Sequence, residues 1–239
     1  MTNKYMYFVA NWKMFGGLKS LNSLHSVIKF LDNFKKKHRV KIIYCPPNTL
    51  IRPMTKKLIK SSIKVGAQNC HESETYGAFT GSVNAKMIKD VGAKFVIIGH
   101  SENRKEGESD KLINHKIKIS LKSGLKVIFC VGEKLQERRK KITKKILNRQ
   151  IKLSLKNIKK RNNIIIAYEP VWSIGSGLIP KSKDLIETIN FIKKKFKNFK
   201  VLYGGSVNPK NIQKLKSINN IDGFLIGGAS QDSKKFVDI

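Results

Sequence analysis

The chain has 239 residues, enough to bury a large core and within the span of a single large domain. No apolar run approaches the roughly 20 residues needed to cross a bilayer, which excludes a membrane-spanning helix. With 49 Lys and Arg against 16 Asp and Glu, the formal charge is +33, which first suggests nucleic acid, an anionic membrane surface or an anionic metabolite as partner.

The basic residues are not clustered. They run through nearly every polar segment, as in "NFKKKHRVK" and "RRKKITKKILNRQ", and Ile and Asn are abundant beside them. A compositional bias that puts lysines on solvated helix faces accounts for this, so neither a specific nucleic-acid partner nor a membrane partner is expected. Cys45, Cys70 and Cys130 are odd in number, far apart, and lack CxxC or Cys/His metal spacing. Reduced thiols in a soluble, cytoplasmic protein are the expectation, and the start of the chain shows no cleavable signal pattern.

In chain order, short β-branched runs recur at 5–11 (YMYFVAN), 40–45 (VKIIYC), 63–69 (IKVGAQN) and 94–99 (KFVIIG). Four more follow at 125–132 (LKVIFCVG), 163–169 (NIIIAYE), 200–205 (KVLYGG) and 223–228 (GFLIGG). The intervening segments carry helical spacing, as at Leu21, Leu24, Ile28 and Leu31, or Leu185, Ile189, Ile192 and Phe196. Near-continuous apolar strands alternating with helices predict a parallel sheet covered by helices, and eight such units predict a closed (β/α)8 barrel. A doubly wound sheet is the alternative. No linker, repeat or low-complexity tract divides the chain, so residues 1–239 are expected to form one domain.

Reactive residues of such a barrel sit where strands end. Strand one runs into Asn11-Trp12-Lys13, strand four into His100-Ser101-Glu102 and strand six into Glu169; strands seven and eight end at Gly204-Gly205-Ser206 and Gly227-Gly228. Taken singly, Lys13 reads as one more solvated lysine, His100 as a histidine closing a strand, Glu169 as a cap before Pro170, and the glycine pairs as tight turns. Together, a carboxylate, an imidazole and an ammonium without a metal-ligand cluster suit proton abstraction beside a carbonyl. Glycine turns after strands seven and eight suit a phosphate group held by backbone N–H groups. No dinucleotide or P-loop fingerprint is present, so nucleotide binding lacks a motif and hydride transfer fits poorly.

The segments "NWKM", "GAQN", "GAFTG", "VIIGHSE", "AYEPVWSIGSG", "YGGSVN" and "DGFLIGGAS" resemble the triosephosphate isomerase family, in order and spacing, across nearly the whole chain. The resemblance implies a homodimeric, cofactor-free isomerase of glycolysis and gluconeogenesis that interconverts dihydroxyacetone phosphate and glyceraldehyde 3-phosphate. It implies that Glu169 abstracts the proton between C1 and C2, that neutral His100 polarises the carbonyl and shuttles a proton, and that Lys13 with Asn11 stabilises the enediolate and phosphate charge. Glu102 is implied to position Lys13. The phosphate is implied to meet N–H groups of Gly175, Ser206 and Gly228, with Gly227 adjoining. Glu169 would thus stand at the root of a lid, enclosed on closure by Ile174 and Leu225. The loop around Thr80 is implied to insert beside Asn11 and Lys13 of a second subunit.

The chain departs from the family pattern most at the second hinge of the lid, Leu178-Ile179-Pro180. Proline fixes φ and has no N–H, so it cannot donate to a hydroxyl at Tyr203, the latch that the resemblance implies. An altered lid equilibrium with retained chemistry is therefore expected. Phe15, Ser82, Asn103 and Gln231 are smaller departures, and the interface loop is one residue longer before Gly77. Two rivals remain: another phosphate-binding barrel such as a sugar-phosphate epimerase, and a basic nucleic-acid-binding protein that has lost catalysis.

Overall fold

The computed structural model describes residues 5–239; residues 1–4, the first part of the segment expected to lack a signal pattern, lie outside the described residues. Eight parallel strands close into a barrel in sequence order, β1 pairing with both β2 and β8. They are β1 (Met6–Asn11), β2 (Val40–Cys45), β3 (Lys64–Ala67), β4 (Phe95–Ile98), β5 (Lys126–Val131), β6 (Ile164–Tyr168), β7 (Lys200–Tyr203) and β8 (Gly223–Ile226). Each lies within one of the eight apolar runs, and the doubly wound alternative is ruled out by the closure.

The helices are α1 (Leu24–Asn33), α2 (Asn48–Lys57), α3 (Ala85–Asp90), α4 (Ser101–Lys105), α5 (Asp110–Lys122), α6 (Leu135–Arg139), α7 (Thr143–Ser154), α8 (Ser182–Lys195), α9 (Ile212–Lys216) and α10 (Ser233–Val237). Side-chain caps start several of them: Asn84 accepts from the Met87 N–H, Ser109 from the Leu112 N–H, and Asp232 from the N–H groups of Lys234 and Lys235. Each such cap stabilises its helix by about 1 kcal/mol. The spacing that predicts a helix from Leu21 to Leu31 spans a 3-10 turn (Leu18–Ser23) and then α1, with Leu21, Leu24 and Leu31 buried. The Leu185, Ile189, Ile192 stripe is buried on α8, and Phe196 follows as its C-cap.

Alternation along the strands sorts the core into two sets. Val9, Ile97, Ile128, Ile165, Leu202 and Leu225 pack with one another inside the barrel. Their neighbours Ala10, Ile98, Phe129, Ile166, Tyr203 and Ile226 belong to the larger shell between strands and helices. Because the side-chain period of a strand is two, a strand buried on both faces must be apolar at every position, which is why these runs read as continuous rather than alternating. Burying one Ile or Leu fully contributes about 2 kcal/mol, so the two layers together supply the main driving force. Cys45, Cys70 and Cys130 are buried and unpaired with one another, as the spacing suggests.

Candidate active site

The same period of two that fills the barrel also aims its mouth. Ile165 and Ala167 face inward on β6, so Glu169, two residues further on, faces inward as well. Val9 places Asn11 in the same way at the end of β1. Glu169 is only 2 % exposed, so its carboxylate is almost wholly removed from water. His100 needs a different device: Gly99 takes φ +74 after β4, a left-handed conformation that suits glycine and turns the chain, making His100 the N-cap of α4.

His100 Nε2 then lies 3.2 Å from Glu169 Oε1. On the other side of the ring, the Glu102 backbone N–H donates to His100 Nδ1 at 3.3 Å. An ionised carboxylate only accepts, and Nδ1 must keep its lone pair to accept an N–H, so the matching form is the neutral ring with its proton on Nε2. Burial lowers the imidazole pKa, but the Glu169 charge and hydrogen bond, with the Glu102 charge, outweigh it and move it upward. That direction favours the charged ring, whereas the resemblance implies a neutral His100; the Glu102 N–H favours the neutral form by holding the Nδ1 lone pair.

Lys13 occupies strained backbone at φ 55, which costs about 1–2 kcal/mol for a residue with a Cβ. Three contacts hold it there. Its N–H donates to Asn11 Oδ1 at 3.1 Å, Gln68 Nε2 donates to its carbonyl at 2.9 Å, and its ammonium pairs with Glu102 Oε1 at 2.5 Å. Burial alone would raise the Glu102 carboxyl, but the hydrogen bond from Lys13 and the charges of His100 and Lys13 bring it below its ordinary value. The ion pair therefore persists into mildly acidic solution.

Asn11, Lys13, His100, Glu169, Ile174, Gly175, Ser206, Leu225, Gly227 and Gly228, all singled out from the sequence, line one cavity of about 470 Å³. Glu102 lies to its side and lines an adjoining cleft with Lys13, Met14 and Gln68. Tyr203 does not reach the cavity; it is fully buried, its hydroxyl 3.2 Å from Ser173 Oγ. Among the described residues no group of three or more His, Cys, Asp or Glu could hold a metal ion.

Three residues that sequence reasoning did not single out serve this mouth. Gln68 spans from the Lys13 carbonyl to the Cys45 carbonyl, 2.8 Å away; its only signal was membership of "GAQN". Glu133, completely buried, accepts from Tyr168 Oη and Trp172 Nε1, both at 3.2 Å, and so anchors the residues on either side of Glu169 and Pro170. Burial raises its carboxyl pKa, against the hydrogen bonds that lower it. The Ser173 hydroxyl meets Leu178, Tyr203 and Ser206, and no local pattern announces these contacts.

A barrel that brings a buried carboxylate, an imidazole and an ammonium to one cavity belongs to the class of (β/α)8 enzymes equipped for acid/base chemistry. The sequence model of the family described as triosephosphate isomerase matches residues 6–239. Proteins named triosephosphate isomerase from Thermodesulfovibrio yellowstonii and Aquifex aeolicus are 41 % and 40 % identical to it, with 98 % and 96 % of this chain and 97 % and 96 % of theirs covered. The crystal structure of triosephosphate isomerase from Bartonella henselae superposes with a TM-score of 0.87 at 36 % identity, covering 98 % of this chain and 96 % of that one. The chain belongs to the triosephosphate isomerase family and is an isomerase.

Proposed function

We propose that this chain, acting as one domain over 1–239, interconverts dihydroxyacetone phosphate and D-glyceraldehyde 3-phosphate in glycolysis and gluconeogenesis without a cofactor. The observation that carries the reading is the buried Glu169–His100 pair, 3.2 Å apart, in a cavity shared with Lys13 and the glycine turns. Glu169 takes the proton from the carbon beside the carbonyl while His100 Nε2–H donates to the carbonyl oxygen. The C–H electron pair becomes the enediolate double bond, and His100 and Lys13 meet the charge that develops on oxygen. His100, left without that proton, takes the one on the neighbouring hydroxyl oxygen, and Glu169 returns the carbon proton to the neighbouring carbon.

The amides of Gly175 and Gly228, beside Gly227, hold the phosphate, and Ser206, whose N–H is engaged by Ser173 Oγ at 3.3 Å, meets it with its hydroxyl. Ile174 and Leu225 cover Glu169, excluding water so that the enediolate keeps its phosphate. Asn11 supports Lys13, and Glu102 orients it.

A homodimer is supported by exposed apolar side chains: Met14, in the cleft beside the mouth, is 99 % exposed, and Phe79 and Tyr76 beside Thr80 are exposed as well. The Thr80 loop of a second copy would enter the cleft lined by Met14, Pro47 and Gln68, next to Asn11 and Lys13. The three buried free thiols suit the cytoplasm, and no helix among the described residues is long and apolar enough to cross a membrane.

A coupled assay with glyceraldehyde 3-phosphate tests the reading. Turnover without added metal or cofactor is expected. An inactive protein, or one that epimerises a larger sugar phosphate instead, would overturn it.

A further inference from the structure

Ser173 ends the 3-10 turn Val171–Ser173 that follows Glu169 and Pro170, and it is fully buried. Its hydroxyl faces three groups: the Leu178 carbonyl at 2.5 Å, Tyr203 Oη at 3.2 Å and the Ser206 N–H at 3.3 Å. A hydroxyl has one proton and two lone pairs. A carbonyl only accepts, so the Ser173 proton goes to Leu178. The Ser206 N–H only donates and fills one lone pair, which leaves the other for the Tyr203 proton. Burial pushes the Tyr203 hydroxyl up to about 12, so it keeps that proton in neutral solution.

We propose that Ser173 is a positioning residue for the isomerisation, tying the far end of the lid to β7 and to the Ser206 turn through one saturated hydroxyl. Leu178 lies beyond the two lid glycines, and Pro180 has no N–H with which to reach Tyr203. The clasp has therefore moved to the near hinge, where Ser173 accepts the Tyr203 proton instead. A second staple supports it: Ser176 Oγ donates to the Trp172 carbonyl at 3.0 Å and accepts the Leu178 N–H at 3.2 Å. The hub is closely packed. A Cβ on Gly205 would come within 2.3 Å of Tyr203 Oη and 2.7 Å of Ser173 Oγ, so only glycine leaves room for it.

The inference rests on the isomerase reading for its kinetic consequence. A loosened lid exposes the enediolate, which then expels phosphate. The C–O bond to phosphate breaks, its electron pair leaves with the phosphate, and the enediolate pair forms a new C=C in the enol of a three-carbon dicarbonyl.

The test compares the parent chain with Ser173→Ala for kcat, KM, inhibition by inorganic phosphate, and phosphate released per triose isomerised. Losing one shared hydrogen-bonding group should raise KM and the phosphate inhibition constant about tenfold, with kcat falling less and the release ratio rising. Tyr203→Phe should move the same quantities in the same direction, and the double variant should fall short of the sum, because both act on one hydroxyl. Parental phosphate inhibition and release ratio in Ser173→Ala would overturn the proposal, whatever happened to its melting temperature. Should that variant not fold, parental values in Tyr203→Phe would overturn it equally. If the parent chain failed to isomerise triose phosphates, the functional reading would fall, while weaker inorganic phosphate binding by Ser173→Ala would still support the clasp and unchanged binding would refute it.

Discussion

On the β1 and β4 side of the mouth, Lys13 sits on strained backbone and pairs with Glu102, their side chains 31 % and 53 % exposed. On the β6 and β7 side, Ser173 and Tyr203 meet through neutral hydroxyls with no exposure at all. The first arrangement works in water because it is made of charge. The second works because water is excluded, since a buried hydroxyl without a partner costs about 1–3 kcal/mol. An exposed pair such as Lys13–Glu102 adds only about 0–1 kcal/mol to stability, so it does little to hold the fold, and in the proposed mechanism it aims the ammonium. Salt and pH should therefore trouble one side, and loss of a buried hydroxyl the other.

Glu169, which stands between the two sides, should give the largest effect. Glu169→Gln keeps the shape and removes the base, and kcat/KM should fall about a thousandfold in the coupled assay. Activity near the parental value would remove Glu169 from its proposed role.

Gln68→Ala breaks the charged side at its neutral strut. Freed from the bond to its carbonyl, Lys13 should relax from φ 55, with a loss of about tenfold in kcat/KM and little change in phosphate release per turnover. A rise in that release would instead show that the two sides act as one unit.

Proton NMR titration of His100 sharpens the comparison. Glu169 raises the His100 pKa by charge and hydrogen bond, whereas burial lowers it, so Glu169→Gln should move the titration downward. With the folded pKa above the ordinary value, protonated His100 adds stability below about pH 6.5, and that contribution is lost as pH rises through the folded value. The substitution should flatten that part of the stability profile; an unmoved titration would show that the carboxylate does not govern the ring.

Pro180→Ala should have the smallest effect. It restores an N–H at the second hinge and frees the unfolded chain, shifting kcat or phosphate affinity by about 2- to 5-fold. Unchanged values of both would show that the proline does not set the proposed lid equilibrium.

Much of this was legible beforehand because strands and their ends are local features. The run "NIIIAYE" contains β6, and its alternation alone turns Glu169 inward once the strand is placed in a barrel. Lys13, His100 and the glycine pairs could be named from strand ends and family motifs, and they line one cavity. The tautomer of His100 was not legible, since it depends on an N–H two residues on and a carboxylate 69 positions away. Nor was the Lys13 conformation, because two of the three contacts that hold a left-handed lysine come from Gln68, 55 positions on, and Glu102, 89 positions on.

By itself the sequence determined the number and order of the strands, the apolar period that buries them, and the residue types delivered to each strand end, because these follow from backbone geometry and side-chain hydrophobicity within a few residues. Tertiary structure decided which distant groups share a proton. Ser173 and Tyr203 are 30 positions apart and become partners only when barrel closure sets β6 against β7 in the register that pairs Tyr168 with Tyr203. Hydrogen bonds reach barely 3 Å, and no pattern along the chain encodes a distance that closure alone creates.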